Sequence, residues 1–190
     1  MTLLSFFGCA LAAYGPIVSV FLLTIARDAQ LVILSMTSAF FWLVALLLTS
    51  VFWYVIPPAR SLHPVTLLYG VLLQELIRWA YFKMIERAEK GLHTTAKQPT
   101  SRLNRTSFAF ASGLGFGLIY ALTTYVTLLS QSSGPGTPMA PSCPTVSLFF
   151  LSAIMTAIIS LTHIFWMMVA FDGYFEPVAI WRIGYVVLSH

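Results

Sequence analysis

The chain has 190 residues, of which 58% are hydrophobic and 8% charged, and carries a formal charge of +4. Its mean hydropathy is +0.86. A soluble domain covers its surface with roughly 25% charged residues, so composition excludes a water-soluble domain of any size. The basic residues sit at the ends of apolar runs and form no independent basic surface, which excludes a nucleic-acid binder.

Taken in chain order, five long apolar segments and one short one are expected to be helices. Thr2–Ala26 has no charge, ends at Arg27-Asp28 and lacks the basic stretch of a signal peptide, so it reads as a first span. Leu31–Ile56 stops at Pro57-Pro58, which cannot continue a helix. Leu62–Phe82 is weaker, because Gln74, Glu75 and Arg78 interrupt it. Ser107–Leu129 and Val146–Ala170 are clear spans. Val178–His190 is apolar but only 13 residues long. At 1.5 Å per residue it reaches about 20 Å, against a hydrocarbon core of ~30 Å. The expected architecture is an all-α polytopic bundle of five complete spans plus a truncated sixth, forming one transmembrane domain over residues 1–190. Lipid offers no partner to backbone amides, which requires helices. The continuous apolar runs do not alternate as barrel strands do.

Orientation follows the basic residues. Lys83, Arg87, Lys90, Lys97, Arg102 and Arg105 follow the third span, and Arg27 and Arg182 join them on the same face. The opposite face holds Arg60 alone, since the Gln131–Thr145 loop is uncharged. The amino terminus is therefore expected outside or in the lumen. The Asn104-Arg105-Thr106 sequon then faces the cytosol and carries no glycan. Cys9 and Cys143 are too distant for a disulfide framework, and no Cys/His cluster offers a metal site, so no metal or other cofactor is expected.

Small residues line two of the spans. Gly113, Gly117 and Ala121 lie four apart in the fourth, where positions drift only ~40° around a helix. A strip without side chains lets a neighbouring backbone approach, either within the bundle or from another subunit. The first span repeats the theme with Ser5, Gly8, Ala12, Gly15 and Ser19.

Polar groups lie at membrane depth as well. Ser152, Thr156, Ser160 and His163 share one face of the fifth helix, within about 80°. An imidazole there needs partners for both nitrogens, and hydroxyls are suitable. His190 meets His163 if the fifth and sixth helices pack antiparallel. Glu75 and Arg78, three apart, are expected either to pair and be buried or to snorkel with Lys83 to the headgroups. Isolated in lipid, each would cost at least ~2.5–3.5 kcal/mol.

These residues, taken in order, resemble a known family. Phe6-Phe7-Gly8-Cys9, Tyr14-Gly15-Pro16, Ala39-Phe40-Phe41-Trp42-Leu43-Val44 and Leu72-Leu73-Gln74-Glu75 with Arg78, Ala80, Tyr81 and Lys83 are similar to the anterior-pharynx-defective family. So are Ser112-Gly113-Leu114, Phe116-Gly117, His163-Ile164-Phe165-Trp166, Phe171-Asp172 and Ser189-His190. The resemblance covers essentially the whole chain. It implies a multi-pass, non-catalytic scaffold of γ-secretase, the intramembrane aspartyl protease complex that processes the Notch receptor. The implied partners are nicastrin, presenilin and presenilin enhancer within a lipid bilayer. The implied locations are the endoplasmic reticulum, Golgi and plasma membrane. The resemblance makes Gly113 and Gly117 assembly positions, and His163 and His190 a pair important for assembly and activity.

Three departures stand out. Ala121 replaces the family's usual third glycine. The segment between Tyr69-Gly70 and Leu72-Leu73-Gln74-Glu75 is short, which shifts Glu75 and Arg78 toward mid-membrane. The chain also ends inside the sixth helix where the family has seven spans, as expected of a fragment, a splice form or a divergent gene.

Three alternatives compete with a scaffold. An intramembrane serine protease would use Ser112 as nucleophile and His163 as base. However, position 110 is Phe, where a rhomboid-like Gly-x-Ser-Gly turn needs Gly. An aspartyl protease would need Asp28 and Asp172 to face each other, yet both fall at cytosolic helix ends. A small transporter would line a polar path with Glu75, Arg78 and His163, but neither an internal repeat nor a broken-helix pair supports it.

Overall fold

In the computed structural model, residues 3–56, 63–95, 102–134, 136, 138–140, 143–176 and 180–189 are described. Among them are six helices: α1 (Leu3–Thr24), α2 (Ala29–Val55), α3 (His63–Thr95), α4 (Arg102–Gln131), α5 (Leu148–Phe175) and α6 (Ile180–Ser189). Two short strands, β1 (Met139–Ala140) and β2 (Cys143–Ser147), lie between α4 and α5.

Four helices are long and apolar enough to cross a membrane: α1, α2, α4 from Arg105 onward, and α5. The third predicted span is a helix too, but its mean hydropathy is lower. It runs on to Thr95, beyond the apolar stretch that ends near Phe82. Lys83 and Lys90 each bond Glu86 at 2.8 Å, at spacings of three and four residues. Such pairs carry a helix past its apolar part. The sixth helix has ten residues, Ile180–Ser189.

Several helix ends have evident local causes. The Asp28 carboxylate caps α2 by accepting from the Gln30 amide at 3.0 Å. The Ser147 hydroxyl caps α5 by accepting from the Phe150 amide at 3.2 Å. α2 stops at Val55, and Ile56, next to proline in sequence, is extended. The residue before a proline is driven out of the helical region.

The described residues are overwhelmingly helical, as expected, and a short hairpin in the connection between α4 and α5 is the addition. Its strands are antiparallel, with Met139 opposite Ser147 and Ala140 opposite Cys143. The Leu148 amide also donates to the Pro138 carbonyl at 2.9 Å. A loop that returns the chain from one helix to the next must satisfy its own backbone groups, and strand pairing does so here.

Contacts along the helices give an up-and-down arrangement. α3 runs antiparallel to α2, with Tyr69 near Phe52 and the Tyr81 hydroxyl on the Leu34 carbonyl. α5 runs antiparallel to α4, with the Tyr125 hydroxyl on the Phe149 carbonyl at one end and the Arg105 guanidinium over Phe175 at the other. α4 is the central element and packs on α5, α2 and α1. Its segment from Ala111 to Gly117 is buried without interruption. Around it, Trp42, Tyr81, Phe82, Phe116, Met167 and Phe171 form the main apolar cluster.

Candidate functional site

The three glycines of α4 set how closely the helices approach. A methyl group at Gly113 would stand 2.7 Å from the Ile164 Cα and 2.9 Å from the Met167 Cβ, both on α5. One at Gly117 would run into the Ser160 carbonyl of α5 and stand 3.1 Å from Ile17 of α1. One at Gly115 would collide with the Ser35 carbonyl and the Ser38 hydroxyl of α2. Gly113 and Gly117 thus fit α4 onto α5, and Gly115 fits it onto α2. Two residues turn a helix by about 200°, so glycines at 113, 115 and 117 clear two faces at once. Gly115 was not part of the predicted strip, which followed the four-residue spacing alone. Ala121 is fully buried on the same helix. The strip of α1 differs: nothing lies within 4 Å of a methyl at Gly8 or at Gly15.

Close approach brings polar groups together. Ser38 on α2 donates across to the Ser112 carbonyl of α4 at 2.8 Å, sharing its hydrogen with the Ser35 carbonyl. The Tyr81 hydroxyl of α3 lies 3.0 Å from both the Leu34 carbonyl and the Ser112 hydroxyl. One tyrosine therefore ties α2, α3 and α4. Neither Ser38 nor this role of Tyr81 is marked by residue spacing; a serine on an apolar helix beside a glycine-rich partner is the available signal.

One turn before Tyr81, Arg78 donates to Glu75 at 2.5 Å. Arg78 is 0% and Glu75 7% exposed, so the pair is buried, and Arg78 does not snorkel. Its guanidinium also lies 5.7 Å from the centre of the Phe116 ring, a cation–π contact. The apolar stretch of α3, up to about Phe82, keeps an apolar exterior, with Leu68, Leu72, Leu76 and Trp79 exposed.

On α5, Thr156, Ser160 and His163 are buried on the face predicted for them, and Ser152 is half-buried. The Ser160 hydroxyl donates to the Ala157 carbonyl at 2.8 Å. The His163 ring meets Tyr120 of α4 at a tilt, ring centres 4.8 Å apart, and Trp166 edge-on at 5.1 Å. α6 packs antiparallel on α5: the Trp166 indole donates to the Ser189 hydroxyl at 3.0 Å, and Arg182 pairs with Asp172. That is the packing under which His163 and His190 would meet. His190 itself lies outside the described residues.

The residues invoked for catalysis are engaged elsewhere. Ser112 donates back to the Phe108 carbonyl at 2.6 Å and meets Tyr81, and His163 is not among its partners. Asp28 caps α2 and Asp172 holds Arg182, each in a structural bond. Among the described residues, no three His, Cys, Asp or Glu side chains group as a metal site.

A set of apolar helices drawn together by glycine, with an internally paired charge and bonded hydroxyls between them, is the interior of an integral membrane helix bundle. The family description "Aph-1 protein" matches residues 4–190, and the chain belongs to that family. It is similar to γ-secretase subunit Aph-1b of Danio rerio, at 38% identity over all of this chain and 76% of that protein. It is also similar to γ-secretase subunit Aph-1 of Drosophila melanogaster, at 37% over all of this chain and 79% of the relative. γ-Secretase subunit APH-1B of Mus musculus is 42% identical over 91% of this chain and 70% of its own length.

Proposed function

We propose that this chain is a non-catalytic scaffold subunit that assembles and stabilises γ-secretase. The observation that carries the reading is family membership over residues 4–190, with relatives named as subunits of that complex. A non-catalytic role is supported by the structural bonds that hold Ser112, Asp28 and Asp172. Its partners in the complex are nicastrin, presenilin and presenilin enhancer, and its substrates are those of the protease, Notch among them. It resides in the endoplasmic reticulum, Golgi and plasma membrane.

The chain crosses the membrane with its amino terminus outside or lumenal. The excess of Lys and Arg beside one set of helix ends supports this. α3 is a fifth span in addition to the four most apolar helices. Its exposed Leu68, Leu72, Leu76 and Trp79 suit lipid, while the charges within its apolar stretch, Glu75 and Arg78, are paired inside. Gly113, Gly117 and Ala121, together with Glu75, Arg78 and His163, serve assembly by giving the bundle the one shape that partners recognise.

The test is affinity purification of the tagged full chain from membranes in mild detergent. Co-recovery of nicastrin and presenilin in fixed proportion is expected. Abundant, folded chain recovered alone would overturn the assignment.

A further inference from the structure

At the end of the bundle where α4 begins, α5 ends and α6 begins lies a cleft of about 740 Å³. Its walls are apolar and aromatic, including Phe165, Met168, Val169 and Tyr185, and charges gather at one end only. There Arg105 lies with its guanidinium 4.5 Å from the centre of the Phe175 ring and forms no ion pair among the described residues. Arg182 is shared by two carboxylates, Asp172 at 2.5 Å and Glu176 at 3.3 Å. The cleft mouth is therefore dipolar: one cation stands alone, and a second cluster has two negative charges against one positive. Both carboxylates are 61% exposed and open to a further donor.

We infer that this cleft holds one zwitterionic phospholipid, its phosphate on Arg105, its ammonium on the Asp172–Glu176 side, and an acyl chain along α5. Depth supports a lipid. From Phe175 to Phe165 is ten residues, about 15 Å of helix, which is half of a ~30 Å hydrocarbon core and thus one leaflet. A transmembrane helix of a partner would need a groove through both leaflets and would not need charge at a single end. The volume suits one chain and part of a headgroup, within the roughly 300–1,000 Å³ of small-molecule sites. Basic pockets between membrane helices at the headgroup level are known lipid sites. Exposed Trp181 and Tyr185 on α6 are the residue types that settle at that level. The dipolar mouth selects a zwitterion: an anionic headgroup would satisfy Arg105 but bring its net charge against Asp172 and Glu176. This inference needs the chain to be in a bilayer and does not rest on assembly with γ-secretase.

The experiment is native mass spectrometry of the full chain, purified in mild detergent and offered equal amounts of phosphatidylethanolamine, phosphatidylcholine and phosphatidylglycerol. The zwitterionic lipids should be retained over phosphatidylglycerol by the wild type. Arg105→Gln should lower their retention about tenfold, as expected for loss of a charged hydrogen bond, and Arg105→Lys should keep most of it. Glu176→Gln should shift preference toward phosphatidylglycerol. Preference of the wild type for the anionic lipid, or retention unchanged in Arg105→Gln, would overturn the inference, as would no retained lipid at all. Arg105 and Glu176 are exposed, and unchanged melting of these variants separates lipid loss from misfolding.

Discussion

A methyl group added at Gly113, Gly115 or Gly117 of α4 would strike α5 or α2, whereas one added at Gly8 or Gly15 of α1 would meet nothing within 4 Å. Both helices carry small residues at spacings that return to one face. The pattern alone therefore specifies a smooth surface but not what covers it. On α4 the surface is consumed inside the chain, where backbone meets backbone and a hydroxyl network forms across the contact. On α1 it remains on the outside, flanked by exposed Leu4, Phe7, Leu11 and Leu22. In lipid, apolar surface gains little by leaving its solvent, so close fit and hydrogen bonds decide which face closes.

The contrast between interior and exterior can be broken most forcefully at the buried ion pair. Glu75→Leu should destabilise the bundle by roughly 3–5 kcal/mol, because it leaves Arg78 buried without its counter-charge. Adding Arg78→Met should recover much of that loss. Chemical unfolding in detergent reads both, and a single variant as stable as wild type would show that Arg78 finds other solvation. Next comes the α4–α5 contact. Gly117→Ala should cost about 1–3 kcal/mol, the usual range for overpacking, because the Ser160 carbonyl in its way is backbone. Retained thermal stability would mean that α5 yields more easily than its packing implies.

The smallest effect belongs to the exposed end of α3. Hydrogen bonds from Lys83 and then Lys90 hold the Glu86 carboxyl down at about 2. A depressed carboxyl stabilises the folded form above its unfolded value of about 4.3, and that contribution disappears as pH falls through about 2. The end of α3 should thus keep its hydrogen-exchange protection at neutral pH and lose a little between pH 4 and 2. Glu86→Gln should remove that dependence. Fraying at constant rate across this range in the wild type would contradict the pairing.

Much of the fold was legible because apolar runs of span length have one solution in lipid. Helix ends were less so: α3 continues to Thr95 because charge pairs take over where hydrophobicity stops. The hairpin at 139–147 was hidden in an uncharged segment rich in Pro, Ser and Thr that carries no alternating pattern, and Pro144 argues against a strand. Within the site, the inward face of α5 followed from spacing. Spacing also put Glu75 and Arg78 on one face but left burial and snorkelling open, and packing against Phe116 decides for burial. The contact made by Gly115 did not follow from spacing, since its partner lies on a different helix from that of Gly113 and Gly117, and helical period gives no information about which neighbour stands opposite.

The most direct test compares Gly115→Ala with Gly15→Ala by thermal unfolding of the full chain in one detergent. A close-packed α4 and an open α1 strip predict that Gly115→Ala loses about 3 kcal/mol, a fall of roughly 6–12 °C, while Gly15→Ala stays within about 0.5 kcal/mol of wild type or gains stability. Equal melting of the two variants, or the larger loss at Gly15, would contradict the packing on which this account of the scaffold depends.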